Sequence, residues 1–146
     1  MFAQFIASMF ASLSFAALFS APKKQLLFCG LTGAIGWVVY LLCLELGTSA
    51  AVANMIATFS VTLISRAIAS LRKTPVTVYL ISGIFPLVPG AGIYYTSYYF
   101  IMNEMSQFSQ AASDTLKIAG AIALGIAFGF ALPQAWFNAL RRMRAE

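Results

Sequence analysis

Runs of uncharged residues constrain this chain more than anything else in it. Phe2 to Ala21, about Leu26 to Leu44, about Ser49 to Leu71, about Pro75 to Ile101 and about Leu116 to Leu140 carry no more than one charge each. A helix of about 20 residues crosses the ~30 Å hydrocarbon core of a bilayer, so each run is long enough to be a span. Only 9% of the residues are charged against 61% hydrophobic, where soluble domains carry roughly 25% charged residues. The expectation is an all-α membrane protein with five transmembrane helices, residues 1–146 forming a single integral membrane domain in the lipid bilayer. The first run resembles a signal peptide only superficially, because its basic residues follow the apolar stretch, and it is read as a span. No soluble domain, linker, repeat or low-complexity segment is evident.

Composition excludes several chemistries. With no histidine there is no Ser-His-Asp triad, imidazole metal site or histidine proton shuttle. The four acids, Glu45, Glu104, Asp114 and Glu146, all lie outside the apolar runs, so a carboxylate dyad or buried acidic relay is not expected. Cys29 and Cys43 sit on one helix roughly 21 Å apart along its axis and cannot pair; they read as small buried hydrophobes. An enzyme is not expected, nor a cofactor or metal. The net charge of +5 does not point to nucleic acid, since the bases stand at the ends of apolar runs and form no groove-facing strip.

The positions of those bases set an orientation. Lys23 and Lys24 follow the first run, Arg66, Arg72 and Lys73 close the third, and Arg141, Arg142 and Arg144 follow the fifth. Only Lys117 falls on the other side. By the positive-inside rule the N-terminus is outside the cytoplasmic membrane and the C-terminus is cytoplasmic, which requires an odd number of crossings. Thr74 and Pro75 suit the N-cap and first position of the fourth span, and Ser113 with Asp114 the start of the fifth. The polar piece Asn103 to Thr115 is then an outer loop.

Three features could carry chemistry. Asn54, Thr58, Thr62 and Ser65 fall within a sector of roughly 80° on the third span. This polar stripe either bonds its own helix and neighbours or lines a path for a polar solute, with Asn54 offering both donor and acceptor. Arg66, the one base well inside a span, either snorkels to headgroups or attracts anions at an inner vestibule. In the fourth span, Pro86, Pro89, Gly90 and Gly92 predict a broken helix near the midplane. The outer half would begin near Ala91, its free N–H groups and positive dipole end able to hold a carboxylate. Tyr94, one turn beyond, could reach that site, whereas Tyr98 and Tyr99 read as an interfacial belt. Gly30, Gly33 and Gly36, and Gly125 with Gly129, read as helix-packing faces, and Pro133 as a bend.

Cys29 with Gly33 and Gly36, Ser65-Arg66, Pro75, the Pro86-x-x-Pro89-Gly90 break with Tyr94, and the late Gly125 and Pro133 together carry a likeness. On them the chain resembles the threonine/serine exporter superfamily, and within it the short YjjB-type subunit of two-chain members, over about residues 23 to 140. Trp37 stands where the family often has a bulky or charged residue, so no basic site is expected there. The resemblance implies half of an inverted-repeat transporter, completed by a longer five-span membrane subunit with a soluble N-terminal part. It implies small carboxylates as substrates, either threonine and serine or dicarboxylates such as succinate. The substrate-binding candidates are Asn54, Thr58, Pro86, Pro89, Gly90, Gly92 and Tyr94, with Arg66 at the inner vestibule. The competing function is a noncatalytic scaffold or assembly subunit, for which the glycine faces suffice.

Overall fold

The computed structural model describes residues 2–134, and these form helices and turns with no strand among them. The C-terminal end of the fifth apolar run, Arg141, Arg142 and Arg144 lie outside the described residues. In chain order the helices are α1 (Phe2–Leu18), α2 (Leu26–Glu45), α3 (Ala50–Arg72), α4 (Val76–Ile84), α5 (Gly90–Ile101) and α6 (Met105–Ala131). One 3-10 turn, Lys23–Gln25, leads into α2 and another, Phe85–Leu87, follows α4.

Four of the connections are tight for the same reason. Ser20, Gly47, Lys73 and Asn103 each take a left-handed conformation just past a helix, with φ of 57°, 81°, 54° and 61°. The following N–H reaches back to an orphan carbonyl: Ala21 to Ala16, Thr48 to Cys43, Thr74 to Ala69 and Glu104 to Tyr99. Short turns of this kind lay consecutive helices side by side.

The helices then approach through small residues, as expected where lipid supplies no hydrophobic force between them. Gly30 and Gly33 on α2 face Met9 and Ser12 on α1, while Gly36 faces Val61 on α3. Gly83 lets α4 nest against Thr32 and Val61. On its other side α3 meets Gly125 and Gly129 of α6. Val61, Ala57, Leu80 and Leu87 form the centre of the bundle, and Cys29 and Tyr79 a second buried cluster beside it. Both cysteines are buried free thiols.

α3, α6 and the stretch Lys23–Glu45 are each long and apolar enough to cross a membrane, and α4 with α5 makes a fourth crossing if the bent pair is one span. α1 is apolar but has 17 residues.

Some local expectations need correction. The piece expected as an outer loop is helical, because α6 starts at Met105 and not at Ser113 or Asp114. Its residues include no glycine or proline, and Gly92 and Phe100 of α5 pack on Thr115 and Phe108. Pro75 is the N-cap of α4 and not its first helical residue. Thr74 does not cap; its hydroxyl meets that of Tyr79 at 2.8 Å. At the far end α6 stops at Ala131, with Leu132 extended (ψ 137°) as the residue before a proline tends to be.

Candidate functional site

The break between α4 and α5 is real, and its construction differs from the one expected of glycine. The axes of Val76–Leu87 and Gly90–Ile101 diverge by 54°. After the Phe85–Leu87 turn, Val88 is extended (φ −62°, ψ 131°) and Pro89 sits at φ −76°, ψ 58°. That Pro89 conformation is an inverse γ-turn, closed by the Gly90 N–H donating to the Val88 carbonyl at 2.8 Å. Val88 and Pro89 therefore do the unwinding. Neither Gly90 nor Gly92 uses a positive φ.

The two glycines serve other ends. A Cβ at Gly92 would collide with the Thr115 hydroxyl, so this glycine lets α5 lie close on α6. At Gly90 nothing stands within 4 Å of where a Cβ would be. The first helical residue of α5 is thus open, and the N–H groups of Ala91 and Gly92, in the first turn, have no i−4 carbonyl to bond. They form the positive end of a short helix and can hold an anion.

Two grooves flank the break. On one side Pro86 lines a hollow of about 270 Å³ with Gln4, Ser8 and Trp37. On the other, Gly92, Tyr95 and Tyr99 face Gln107, Gln110, Asp114 and Thr115 across a groove of about 390 Å³. Asp114 accepts an ion pair from Lys117 at 3.1 Å. Tyr94 lies outside both grooves; 63% exposed, it stacks with Tyr98 while Tyr95 stacks with Tyr99. No residue of α5 is buried.

The stripe on α3 is buried and bonded inward. The Asn54 amide donates to the Ala50 carbonyl at 2.8 Å, Thr58 to Asn54 at 2.7 Å and Thr62 to Thr58 at 2.8 Å. This leaves their hydrocarbon toward α6, where Thr58 Cβ and Thr62 Cγ2 are among the atoms nearest Gly125 and Gly129. Ser65 Oγ is buried with no hydrogen-bond partner among the described residues. Asn54 and Thr58 line neither groove at the break. The fold therefore gathers Pro86, Pro89, Gly90 and Gly92 at one joint and holds Asn54 and Thr58 on a separate helix contact.

Arg66 is 3% exposed and does not snorkel. Its guanidinium donates to the Gly129 carbonyl and to Gln134 Oε1 at 2.7 Å, and lies 5.6 Å from the centre of the Phe130 ring. It thus serves the carbonyl-rich end of α6, where a cation meets the negative end of the helix dipole.

Sequence reading misses the α6 side of the second groove. Gln107, Gln110 and Asp114 recur at helical spacing, which marks one face once Asn103 to Thr115 is read as helix. Gln4 and Ser8, one turn apart on α1, carry the same signal for the Pro86 hollow.

No curated protein and no solved structure matches the chain. The family model described as threonine/serine exporter, ThrE, matches residues 4–131, a stretch that takes in α1 to α6 and both sides of the break. The chain belongs to the threonine/serine exporter family of membrane transport proteins.

Proposed function

We propose that the chain is one subunit of a secondary transporter that exports small carboxylates across the cytoplasmic membrane. The substrates are threonine- or serine-like amino acids, or dicarboxylates of the size of succinate. The observation that carries this reading is the open N-terminus of α5 at Gly90, in a helix none of whose residues is buried. Backbone N–H groups at membrane depth must face protein or a wet cavity, so this half-helix needs surroundings from outside the chain. A longer five-span subunit with a soluble N-terminal part, related by an inverted repeat, supplies them. The substrate carboxylate meets the Ala91 and Gly92 N–H groups where the two subunits adjoin.

The pairing requires five crossings, three made by α3, α6 and the stretch Lys23–Glu45. In this reading α1, at 17 residues or ~25 Å the lower limit for a span, is a fourth, and the bent pair α4–α5, taken as one broken span, is the fifth. The α1–α2 and α3–α4 linkers, with Lys23, Lys24, Arg72 and Lys73, stand at one end of the bundle, which the base asymmetry makes cytoplasmic. The N-terminus is then outside.

The test is export from liposomes holding this chain with its partner subunit. Gly90→Leu adds a bulky side chain at the first residue of α5, where a Cβ has nothing of this chain within 4 Å, so export of labelled threonine or succinate should be lost while the complex still assembles. Undiminished export would move the carboxylate site elsewhere. A wild-type complex that moves no solute would instead favour a scaffold.

A further inference from the structure

Lys23, Lys24, Arg72 and Lys73 are all exposed, and the fold draws them together at one end of the bundle. The first two open the turn before α2, and the others are the last residue of α3 and its left-handed cap. Tyr79 ties these linkers to each other. Wholly buried, its hydroxyl donates to Gln25 Oε1 at 2.7 Å and meets Thr74 Oγ1 at 2.8 Å. The Arg72 guanidinium also lies over the Phe28 ring, 3.9 Å from its centre, bringing the end of α3 onto α2. Among the described residues the acids, Glu45, Glu104 and Asp114, all belong to the opposite end, so the four bases share a patch without local neutralisation.

A groove of about 270 Å³ begins beside this patch, between the end of α1 and the start of α4. Pro22, next to Lys23, and Thr77, in the first turn of α4, line it together with Ala16, Phe19, Val78 and Ile81. From Thr77 to Ile81 it descends about 6 Å along α4, toward the hydrocarbon. Bases at the membrane edge above an apolar slot match a phosphodiester with an attached acyl chain.

We propose that this end of the chain binds one anionic phospholipid, its phosphate against Lys23, Lys24 and Lys73 and one acyl chain in the α1–α4 groove. The site lies away from the α4–α5 break and does not depend on what is exported.

Native mass spectrometry of the detergent-purified full chain, titrated with phosphatidylglycerol or phosphatidylcholine, tests it. Wild type should retain one phosphatidylglycerol in preference to phosphatidylcholine. Lys23→Gln/Lys24→Gln/Lys73→Gln, all surface changes, should weaken retention about a hundredfold, at ~fivefold per base. Ile81→Trp, which fills the groove from an exposed position, should lower it with the bases intact, and Lys117→Gln at the opposite end should leave it unchanged. Equal retention of the two lipids, or retention unaffected by both the base and the groove variants, would overturn the proposal. Displacement of phosphatidylglycerol by millimolar inorganic phosphate would also overturn it, by assigning the patch to a free anion.

Discussion

Gly125→Ala should loosen α6 from α3, while the same change at Gly120 should not. Both glycines lie inside α6, so the gain in helix propensity, about 0.5–1 kcal/mol, is common to the two. A Cβ at Gly125 would stand 2.5 Å from the Met55 carbonyl oxygen, 3.0 Å from Thr58 Cβ and 3.1 Å from the Phe59 nitrogen. Two of these atoms are backbone and cannot rotate away, so the helices must separate. Overpacking of this kind costs about 1–3 kcal/mol. At Gly120 nothing lies within 4 Å, and only the propensity gain remains. The two variants should therefore differ by about 1–3 kcal/mol, Gly120→Ala being the more stable, in reversible unfolding in mixed detergent micelles followed by far-UV circular dichroism. Because lipid removes most hydrophobic force between helices, that gap measures packing itself. Equal stabilities would mean that α3 and α6 are not in contact at Met55 and Thr58, and the assignment of this interface would fall.

Asn54→Ala should weaken export more than Ser60→Ala, because Asn54 is buried in the bundle whereas the Ser60 hydroxyl bonds the Ile56 carbonyl on the opposite, open face; equal losses in liposome transport at matched protein levels would reduce the stripe to packing. Tyr79→Phe removes the hydroxyl that joins Gln25 and Thr74 and leaves a buried acceptor, so it should cost about 1–3 kcal/mol in the same unfolding assay. Single cysteines at Ser109 and Lys24 should react with impermeant reagents from opposite sides of the membrane, and reaction of both from one side would end the five-crossing arrangement.

The parts of the fold that residue chemistry dictates locally are legible in the sequence. Pro86 and Pro89 cannot sit in an unbroken helix, and the helix breaks between them. Gly90 and Gly92 are harder to read, since sequence does not distinguish a glycine needed for its φ from one needed for its missing Cβ. Asn103 to Thr115 looks like a loop only when polarity is equated with irregularity; Gln107, Gln110, Ala111 and Ala112 are compatible with helix, and Asn103 suits a left-handed cap. The stripe at Asn54, Thr58 and Thr62 is visible as a periodicity. Its partner is not, because glycine faces occur on both α2 and α6 and nothing local says which one meets the stripe. Arg66 poses the same difficulty: its partners, Gly129 and Gln134, lie far along the chain.

With their hydroxyls folded onto their own helix, Thr58 and Thr62 present methyl and methine groups to bare glycine backbone. Among the described residues neither threonine hydroxyl bonds across the seam, so where these two side chains meet glycine the resistance to sliding is steric. Near the other end of the seam, Arg66 grips the carbonyl terminus of α6 through directional bonds that a shift would tear. Resistance is thus graded along the interface, and the easiest displacement of α6 is a swing about the Arg66 anchor, largest at its Met105 end. α5 rests on α6 at Thr115, so such a swing would carry the tyrosine-bearing arm with it and flex the chain at Val88 and Pro89.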